Sequence, residues 1–149
     1  MAIERTLFFV KPDGMTRELI GECIKRLERK GLRFIAAKPM RLTLKQAMRH
    51  YAEHKGKPFF DSLVRHVTSG PIMAFVVEGD NAVSTVRALL GSAHDAPTGT
   101  IRGDFAQSVA RNVAHASDSP GAAAREIPLF FKKAELIEWE RASGPSIYE

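Results

Sequence analysis

Short apolar runs, separated by stretches with a helical pattern, predict the strands of this chain. The first run is rich in β-forming residues and stops at KPDG, where proline and glycine predict a turn. Another run, IMAFVV, is continuously apolar and bounded by glycines, which is typical of a central strand buried on both faces. The predicted strands cover residues 5–10, 32–42, 72–77 and 111–116.

Helical patterns fill the intervals between these strands. Ile20, Ile24 and Leu27 recur at helical spacing, and Gly31 follows two basic residues as a C-terminal cap. Thr43 and Gln46 have the spacing of a capping box. The predicted helices cover residues 16–30, 43–54, 59–67, 82–90, 119–130 and 134–141, and GSAHDAPTGTIRGD is a predicted loop.

The elements follow one another as β-α-β, then helices, then β-α-β, which is the split pattern of a ferredoxin-like domain. We therefore expect an α+β fold, a βαββαβ sandwich with a four-stranded antiparallel sheet, inserted helices and a C-terminal helical extension. The 149 residues are 44% hydrophobic, which suits one domain over residues 1–149.

Charge and cysteine content indicate the cellular location and the kinds of partner to expect. Cys23 is the only cysteine, so no intrachain disulfide can form and a reducing, cytoplasmic location is expected. No apolar run approaches the length of a signal-peptide core or a membrane span, so we expect no membrane partner. The net charge of +5 favours polyanions, a category that includes nucleic acid and nucleotide phosphates.

Side chains would have to bind any nucleotide phosphate, because both glycine-rich phosphate loops are absent. The only Gly-Lys pair continues into Pro58, and no two glycines stand two residues apart. Lys11, Arg87 and Arg102 are candidates because an arginine fork binds phosphate oxygens bidentately and lysine supplies a compact charge. Each of them alone is more often a solvated surface cation.

Two histidines in HYAEH, His50 and His54, form with Glu53 the H-x-x-E-H pattern of some zinc hydrolases. A catalytic zinc also needs a third protein ligand and a substrate cleft, and the sequence shows no partner motif. Two histidines on a partly exposed helix are therefore the favoured interpretation, with a zinc hydrolase as the alternative.

The aromatic pair after Pro58 has two predicted roles. Phe60 is expected in the hydrophobic core. Phe59 is a candidate platform for a nucleotide base, because stacking on an aromatic face accepts any base. The chain lacks the glycine and aromatic cluster of an RNA-recognition sheet, so that function is not supported.

A lone histidine, His115, lies in RNVAHASDS, where the fourth predicted strand gives way to a polar turn. Ser119 and Pro120 suit the start of a helix, and that helix contains Glu126. If the helix folds back over the strand, the carboxylate can keep one ring nitrogen protonated and leave the other with a nucleophilic lone pair. Such a nitrogen can accept a phosphoryl group.

The stretch NVAHASD resembles the N-x-x-H-G-S-D signature of nucleoside diphosphate kinases, with Ala116 in place of the glycine. The resemblance extends through ERTLFFVKPDG, HYAEHKGKPFF, SGPIMAFVVEG, GTIRGDF and the terminal IYE. It implies that His115 takes the γ-phosphoryl group of a nucleoside triphosphate and passes it to a diphosphate by a ping-pong mechanism with little base specificity. Glu126 would orient the imidazole, with Ser117 in support and Lys11 as a further catalytic residue.

The same resemblance implies the ligands and the assembly. The residues expected to contact phosphates, ribose and base are Lys11, Tyr51, Phe59, Arg87, Arg102 and Asn112. Mg²⁺ would be bound mainly through the nucleotide phosphates, without metal ligands from the protein. The expected partners are nucleoside di- and triphosphates and other copies of the chain, as a hexamer rather than a tetramer or dimer, with nucleic-acid binding left open as a side activity.

The chain departs from the family pattern in loop 91–103, which is shorter than in most members. The family threonine that touches phosphate falls on Ala93, and Ser92, His94 or Thr98 could take its place. Loss of that one contact predicts weaker phosphate binding without loss of the chemistry.

Overall fold

The apolar runs form one sheet. In the computed structural model, which describes residues 3–140, the strands are β1 (Ile3–Val10), β2 (Arg33–Met40), β3 (Ile72–Asp80) and β4 (Ala114–Ala116). Their order is β2-β3-β1-β4, and every neighbouring pair is antiparallel. The predicted ferredoxin-like α+β fold is confirmed, and β3 lies in the interior of the sheet as its apolar run indicates.

Seven helices are formed by residues 3–140. They are α1 (Pro12–Thr16), α2 (Ile20–Arg29), α3 (Leu44–His50), α4 (Phe60–Val67), α5 (Ala82–Leu90), α6 (Ile101–Phe105) and α7 (Pro120–Phe130). Side-chain caps start several of them: Thr43 and Gln46 form the predicted capping box of α3, and Ser119 accepts a hydrogen bond from Ala122 N at the start of α7. None of these helices has the length and apolar character needed to cross a membrane.

Several predicted boundaries in the first half of the chain are wrong. The predicted turn at KPDG is helical instead, because Pro12 occupies the first turn of α1, where its missing N–H is no loss. The helix predicted to begin at Thr16 starts only at Ile20 as α2. The helix predicted to reach His54 ends at His50 and is followed by a 3₁₀ turn over Ala52–His54.

Two predictions about the second half of the chain are also wrong. The predicted loop contains α6, which is nucleated by Thr100, whose hydroxyl accepts a hydrogen bond from Gly103 N at 2.9 Å. The helix predicted from residue 134 is replaced by a 3₁₀ turn over Lys133–Glu135. After that turn the chain follows the edge of the sheet, and Ile137 N donates to Ile35 O at 2.9 Å. Arg141 and the terminal IYE lie outside the described residues.

Alternation along β1 separates two hydrophobic clusters, one on each face of the sheet. Leu7 and Phe9 face the cluster formed with α3, α4 and α7, to which Phe60 belongs as predicted. Phe8 and Val10 face the cluster formed with α2 and α5. His115 lies opposite Phe9 in the β1–β4 register and stacks on its ring, so it occupies the first of these faces.

Close packing at the β1–α1 corner requires a glycine. A Cβ atom on Gly14 would lie 2.6 Å from Val10 Cγ1 and 2.7 Å from the carbonyl oxygen of Val113. The second of these atoms belongs to the backbone that leads into β4, so it cannot rotate away. Gly21, in α2, has nothing within 4 Å of the equivalent position.

We expect the two glycines to respond to alanine in opposite directions. Gly14→Ala should lower the free energy of unfolding by about 1–3 kcal/mol, because the added methyl overpacks the corner. Gly21→Ala should raise it by about 0.5–1 kcal/mol, because alanine has the higher helix propensity and no contact opposes it. Urea unfolding of both variants measures this, and equal effects at the two sites would contradict the described packing.

Candidate active site

A strained turn begins β4 and makes it shorter than the predicted strand 111–116. Val113 has a φ of 77°, and Ala114 N donates to Asn112 O at 2.9 Å, which closes a γ-turn. Positive φ is unfavourable for a β-branched residue, and such strain persists only where surrounding contacts over-determine it. The strand therefore starts at Ala114.

The β1–α1 corner holds one side of this turn. Lys11 N donates to Val113 O at 2.9 Å, and Val113 N donates to Asp13 Oδ2 at 2.9 Å. The other carboxylate oxygen of Asp13 lies 2.9 Å from Nε2 of His66, in α4. Asp13 thus links α1, α4 and the turn through one nearly buried carboxylate.

The guanidinium of Arg102 holds the other side of the turn. Its Nε donates to Asn112 O at 3.2 Å and its Nη2 to Ala114 O at 2.7 Å, so it spans the γ-turn. Its Nη1 donates to Gly91 O at 3.2 Å. Burial, followed by the charge of Arg87, lowers the pKa of Arg102 to about 10, so the side chain remains cationic at neutral pH. Two of its N–H groups stay free of these backbone contacts.

Lys11 and Asn112 form a buried polar pair beside the turn. The Lys11 Nζ donates to Asn112 Oδ1 at 2.7 Å. Burial, followed by the charge of Arg102, lowers the pKa of Lys11 to about 8. The ammonium is therefore mostly charged at neutral pH and lies close to its titration range.

His115 is bound to a carboxylate from α7. Its Nε2 lies 2.9 Å from Glu126 Oε1, and Ser117 Oγ donates to the same oxygen at 2.8 Å. Glu126 is only 5% exposed, so this carboxylate is held out of water by its partners. Because Nε2 faces a hydrogen-bond acceptor, the ring proton lies on Nε2 and Nδ1 carries the free lone pair. Helix α7 does fold back over β4, which was the condition for this pairing.

Aromatic rings and cations surround the same imidazole. The ring of Phe9 stacks on it at 5.0 Å between centroids, and the ring of His50 meets it edge-on at 4.5 Å. Burial, followed by the charges of Lys11, Arg102 and Arg87, lowers the pKa of His115 well below that of an ordinary histidine. The imidazole is therefore neutral at neutral pH.

A cleft of about 430 Å³ lies beside the Lys11–Asn112 pair. Lys11, Asn112 and Phe59 line it, together with His94 and Val109. Phe59 is 47% exposed and Val109 50% exposed, so two apolar side chains are accessible in a cleft that also holds Lys11 and Asn112. This combination suits a ligand with both a flat apolar part and an anionic part.

The other three predicted nucleotide-binding residues lie around the histidine. The guanidinium of Arg87 reaches Ala116 O at 3.4 Å, and Arg102 spans the γ-turn. Tyr51 is buried, with its ring 4.6 Å from that of His50, and burial raises the pKa of its hydroxyl. Their cationic and hydroxyl groups thus approach the site from three different elements.

Of the residues considered as replacements for the family threonine at Ala93, His94 lines the cleft, as does Ala93 itself. Ser92 Oγ donates to the His94 carbonyl oxygen. Thr98 forms an isolated bridge with Thr100. His94 is therefore the polar side chain of this set that is placed on the cleft wall.

Sequence reasoning missed four residues of the site. Asp13 lies in a predicted turn, and its contacts with Val113 and His66 join positions that are far apart in the chain. Phe9 belongs to the first predicted strand, and its stacking on the histidine ring has no signal in the sequence. Val109 lies between the predicted elements, and nothing in the sequence indicates its place at the cleft.

The fourth missed residue is His50, because its contact with His115 could not be predicted. The H-x-x-E-H pattern pairs His50 with His54, but α3 ends at His50, so the two do not share a helix face. His54 instead lies 3.3 Å from the Lys57 Nζ and 3.7 Å from the Glu53 carboxylate. The predicted geometry of a zinc hydrolase is therefore not formed by these residues.

Sequence comparison finds relatives along nearly the entire chain. The profile of the nucleoside diphosphate kinase family matches residues 4–136. The nucleoside diphosphate kinase of Archaeoglobus fulgidus is 54% identical over 149 residues, which cover 99% of both chains. That of Bacillus licheniformis is 51% identical over 148 residues, covering 98% of this chain and all of the relative.

Solved structures agree with the sequence matches. A halophilic nucleoside diphosphate kinase from Halobacterium salinarum, solved in complex with CDP, has a TM-score of 0.96 at 49% identity and covers 99% of this chain and 100% of its own. A nucleoside diphosphate kinase family protein from Babesia bovis has a TM-score of 0.93 at 46% identity and covers 97% and 99%.

The fold and these matches thus define an α+β enzyme that transfers phosphate groups of nucleotides. With a family match over residues 4–136 and relatives about half identical along the chain, the chain belongs to the nucleoside diphosphate kinase family. It is a kinase of nucleotide metabolism, as the resemblance in its sequence implies.

We expect Asp13 to be needed for the γ-turn. Asp13→Ala leaves Val113 N–H without its acceptor, which should lower the free energy of unfolding by about 1–3 kcal/mol. Amide hydrogen exchange at Val113 and Ala114 should become faster, as mass spectrometry of peptides from this segment can measure. Asp13→Asn keeps an oxygen acceptor and should have the smaller effect.

His66→Ala is the matched control for this variant. It removes the second partner of Asp13 but leaves the bond to Val113 N intact, so exchange at the turn should change little. If exchange in Asp13→Ala equals that of the wild type, the carboxylate does not stabilise the turn.

We expect an asymmetric pH dependence of kcat/KM for nucleotide phosphate transfer. The lowered pKa of His115 keeps its lone pair free as the pH falls through about 6.5, so kcat/KM should not decline there. As the pH rises through about 8, Lys11 loses its proton and kcat/KM should fall. Lys11→Arg keeps its charge above that pH and should abolish the alkaline decline. A decline of kcat/KM centred near pH 6.5 would contradict this prediction, because it would show that His115 has the pKa of an ordinary histidine.

Proposed function

We propose that the protein transfers the γ-phosphoryl group from a nucleoside triphosphate to a nucleoside diphosphate through a phosphohistidine at His115. The hydrogen bond from His115 Nε2 to Glu126 Oε1 carries this proposal, because it leaves Nδ1 with a free lone pair. The cleft lined by Lys11 and Asn112 supports the proposal as a place for an anionic substrate, and the charge of Lys11 also acts on His115.

The reaction has two half-steps that mirror one another. Nδ1 forms a bond to the γ-phosphorus while the bond to the β,γ-bridging oxygen breaks, and the nucleoside diphosphate leaves with that electron pair. A second diphosphate then enters the same cleft, and its terminal oxygen displaces Nδ1 from phosphorus. One cleft serves donor and acceptor in turn, which is the basis of a ping-pong mechanism.

Fixed charges around the histidine support this chemistry. Positive charge develops on the imidazole as Nδ1 attacks, and the Glu126 carboxylate at Nε2 stabilises it while Ser117 fixes that carboxylate. Lys11, Arg87 and Arg102 stabilise the negative charge of the transferring group. Because these groups are held in place before substrate binds, little reorganisation is needed during the reaction.

Phe59 is proposed to stack on the nucleotide base. It is half exposed at the cleft, and a stacking contact has no preference for base edges, which supports low base specificity. Tyr51 and Asn112 are proposed to contact the ribose and phosphates. Binding of CDP by the Halobacterium salinarum relative supports a nucleoside diphosphate as ligand.

Mg²⁺ is proposed to arrive on the nucleotide, where it neutralises phosphate charge. Among residues 3–140, the one group of three or more side chains that could hold a metal ion is His50, His115 and Glu126. This group has two nitrogen donors, whereas Mg²⁺ prefers oxygen ligands. The donor set therefore favours Mg²⁺ bound mainly by phosphate oxygens.

Other expectations from the sequence stay predictions. These are one domain over residues 1–149, a homo-oligomer with a hexamer preferred over a tetramer or dimer, and a cytoplasmic location. Nucleic-acid binding through the net charge of +5 also stays open as a side activity. It predicts an affinity that falls steeply with salt and survives His115→Ala.

A labelling experiment tests the proposed function. Wild-type protein incubated with γ-labelled ATP and Mg²⁺ should acquire an acid-labile, base-stable label in the absence of any acceptor, and an added nucleoside diphosphate should remove it. His115→Ala should carry no label. His54→Gln is the matched control and should label as the wild type does.

Glu126→Gln tests the role of the carboxylate. It keeps an oxygen near Nε2 but removes the charge, so the labelling rate should fall by about 10–100-fold without loss of the final label. A wild-type protein that takes no label, or a label that persists in His115→Ala, would disprove the phosphohistidine.

A further inference from the structure

His50 lies beside the catalytic histidine but takes no part in the steps above. It is 7% exposed, and among residues 3–140 neither of its ring nitrogens has a hydrogen-bond partner. Phe9, Tyr51 and Phe130 surround its ring at centroid distances of 5.5, 4.6 and 5.3 Å. Buried polar atoms are nearly always paired, so two unpaired nitrogens next to a reactive group call for a ligand.

The arrangement of neighbouring donor atoms suggests what that ligand is. His50, His115 and Glu126 each offer one donor atom, and these atoms all lie within 4.8 Å of one another. His115 Nε2 and Glu126 Oε1 are already 2.9 Å apart. Donor atoms on a tetrahedral zinc ion, with bonds of about 2.0–2.2 Å, are roughly 3.3 Å apart, so a small movement of His50 closes the group.

We propose that His50, His115 and Glu126 form a site for a divalent transition-metal ion such as Zn²⁺, and that occupation of this site blocks phosphate transfer. Two imidazoles and one carboxylate are a set that binds zinc in hydrolases, with a further position left for water. The inhibitory consequence rests on the proposed function, whereas metal binding itself does not.

The donor atoms of this site favour Zn²⁺ over the Mg²⁺ that the proposed reaction uses. Imidazole nitrogen suits Zn²⁺ and Cu²⁺, while Mg²⁺ prefers oxygen ligands and keeps its waters. Mg²⁺ should therefore leave this site empty at concentrations that support catalysis. The cations Lys11, Arg87 and Arg102 near His115 oppose a second positive ion, so the affinity should be lower than that of a structural zinc site.

Coordination of His115 removes the nucleophile. The ion shared with Glu126 binds Nε2, the nitrogen that faces the carboxylate. The proton from Nε2 then moves to Nδ1, since a neutral imidazole keeps one ring proton, and Nδ1 becomes a donor without a lone pair. The ion exchanges water for protein ligands, and no redox change is involved.

His50 is also the first histidine of the H-x-x-E-H pattern, and the structure gives it different partners. The pattern pairs it with His54 and Glu53, whereas its neighbours in space are His115 and Glu126. Variants of the two histidines therefore distinguish the site proposed here from the one that the local pattern suggests.

A zinc titration without nucleotide tests the site. Metal-free protein is titrated with Zn²⁺ in competition with a chromophoric chelator, and thermal unfolding is followed in parallel. We expect one Zn²⁺ per chain and a higher Tm, because the ion binds the folded protein. His50→Phe keeps an aromatic ring in the apolar surroundings but has no donor, and it should weaken binding by more than about tenfold.

His54→Gln is the control and should bind Zn²⁺ as the wild type does. Absence of stoichiometric binding to the wild type, undiminished binding to His50→Phe, or equal losses in both variants would each overturn the site. Circular dichroism checks that His50→Phe is folded. If it is not, Glu126→Gln replaces it and should weaken binding to a similar extent.

Labelling with γ-labelled ATP and Mg²⁺ then tests inhibition. Buffered Zn²⁺ should abolish the label on the wild type, a chelator should restore it, and the label on His50→Phe should resist Zn²⁺. Equal sensitivity of both proteins would overturn inhibition through this site. If the wild type takes no label even without Zn²⁺, the proposed function fails, while the titration still decides whether the metal site exists.

Discussion

The hydrogen bond between His115 Nε2 and Glu126 Oε1 sets the chemistry of the whole site. It fixes which nitrogen holds the proton, and it ties β4 to α7. Ser117, between them in the chain, donates to the same oxygen and prevents the carboxylate from turning away. A buried carboxylate is stable only with such partners, so the fold must deliver all three side chains together.

The strained γ-turn before β4 gives that bond its geometry. Its unfavourable φ at Val113 is held by Lys11 and Asp13 on one side and by Arg102 on the other. Two of these residues are also cations near the reactive imidazole. Arg102 stabilises the turn with its side chain, whereas Lys11 does so with its backbone N–H and carries its ammonium near the imidazole. The residues that hold the turn therefore also set the electrostatics of the site.

The sequence predicts much of this architecture because apolar periodicity and helix caps are local. The four strands and most helices follow from them, as does the position of Glu126 within α7, whereas the return of α7 over β4 was only the condition for its pairing with His115. Failures occur where distant contacts decide the backbone. The start of β4 depends on Asp13 and Arg102, and the path after residue 136 depends on carbonyl groups of β2. The contact of His50 with His115 could not be predicted either, because it joins the end of α3 to β4, which are far apart in the chain.

The segment after α7 covers part of one edge of the sheet. β2 is an edge strand, and Ile137 N and Trp139 Nε1 bind the carbonyl oxygens of Ile35 and Phe34. Exposed edges recruit strands from other molecules and so promote aggregation. By occupying these acceptors with its own chain, the protein blocks part of the edge against unintended β-pairing, and removing residues 137–140 would expose it again.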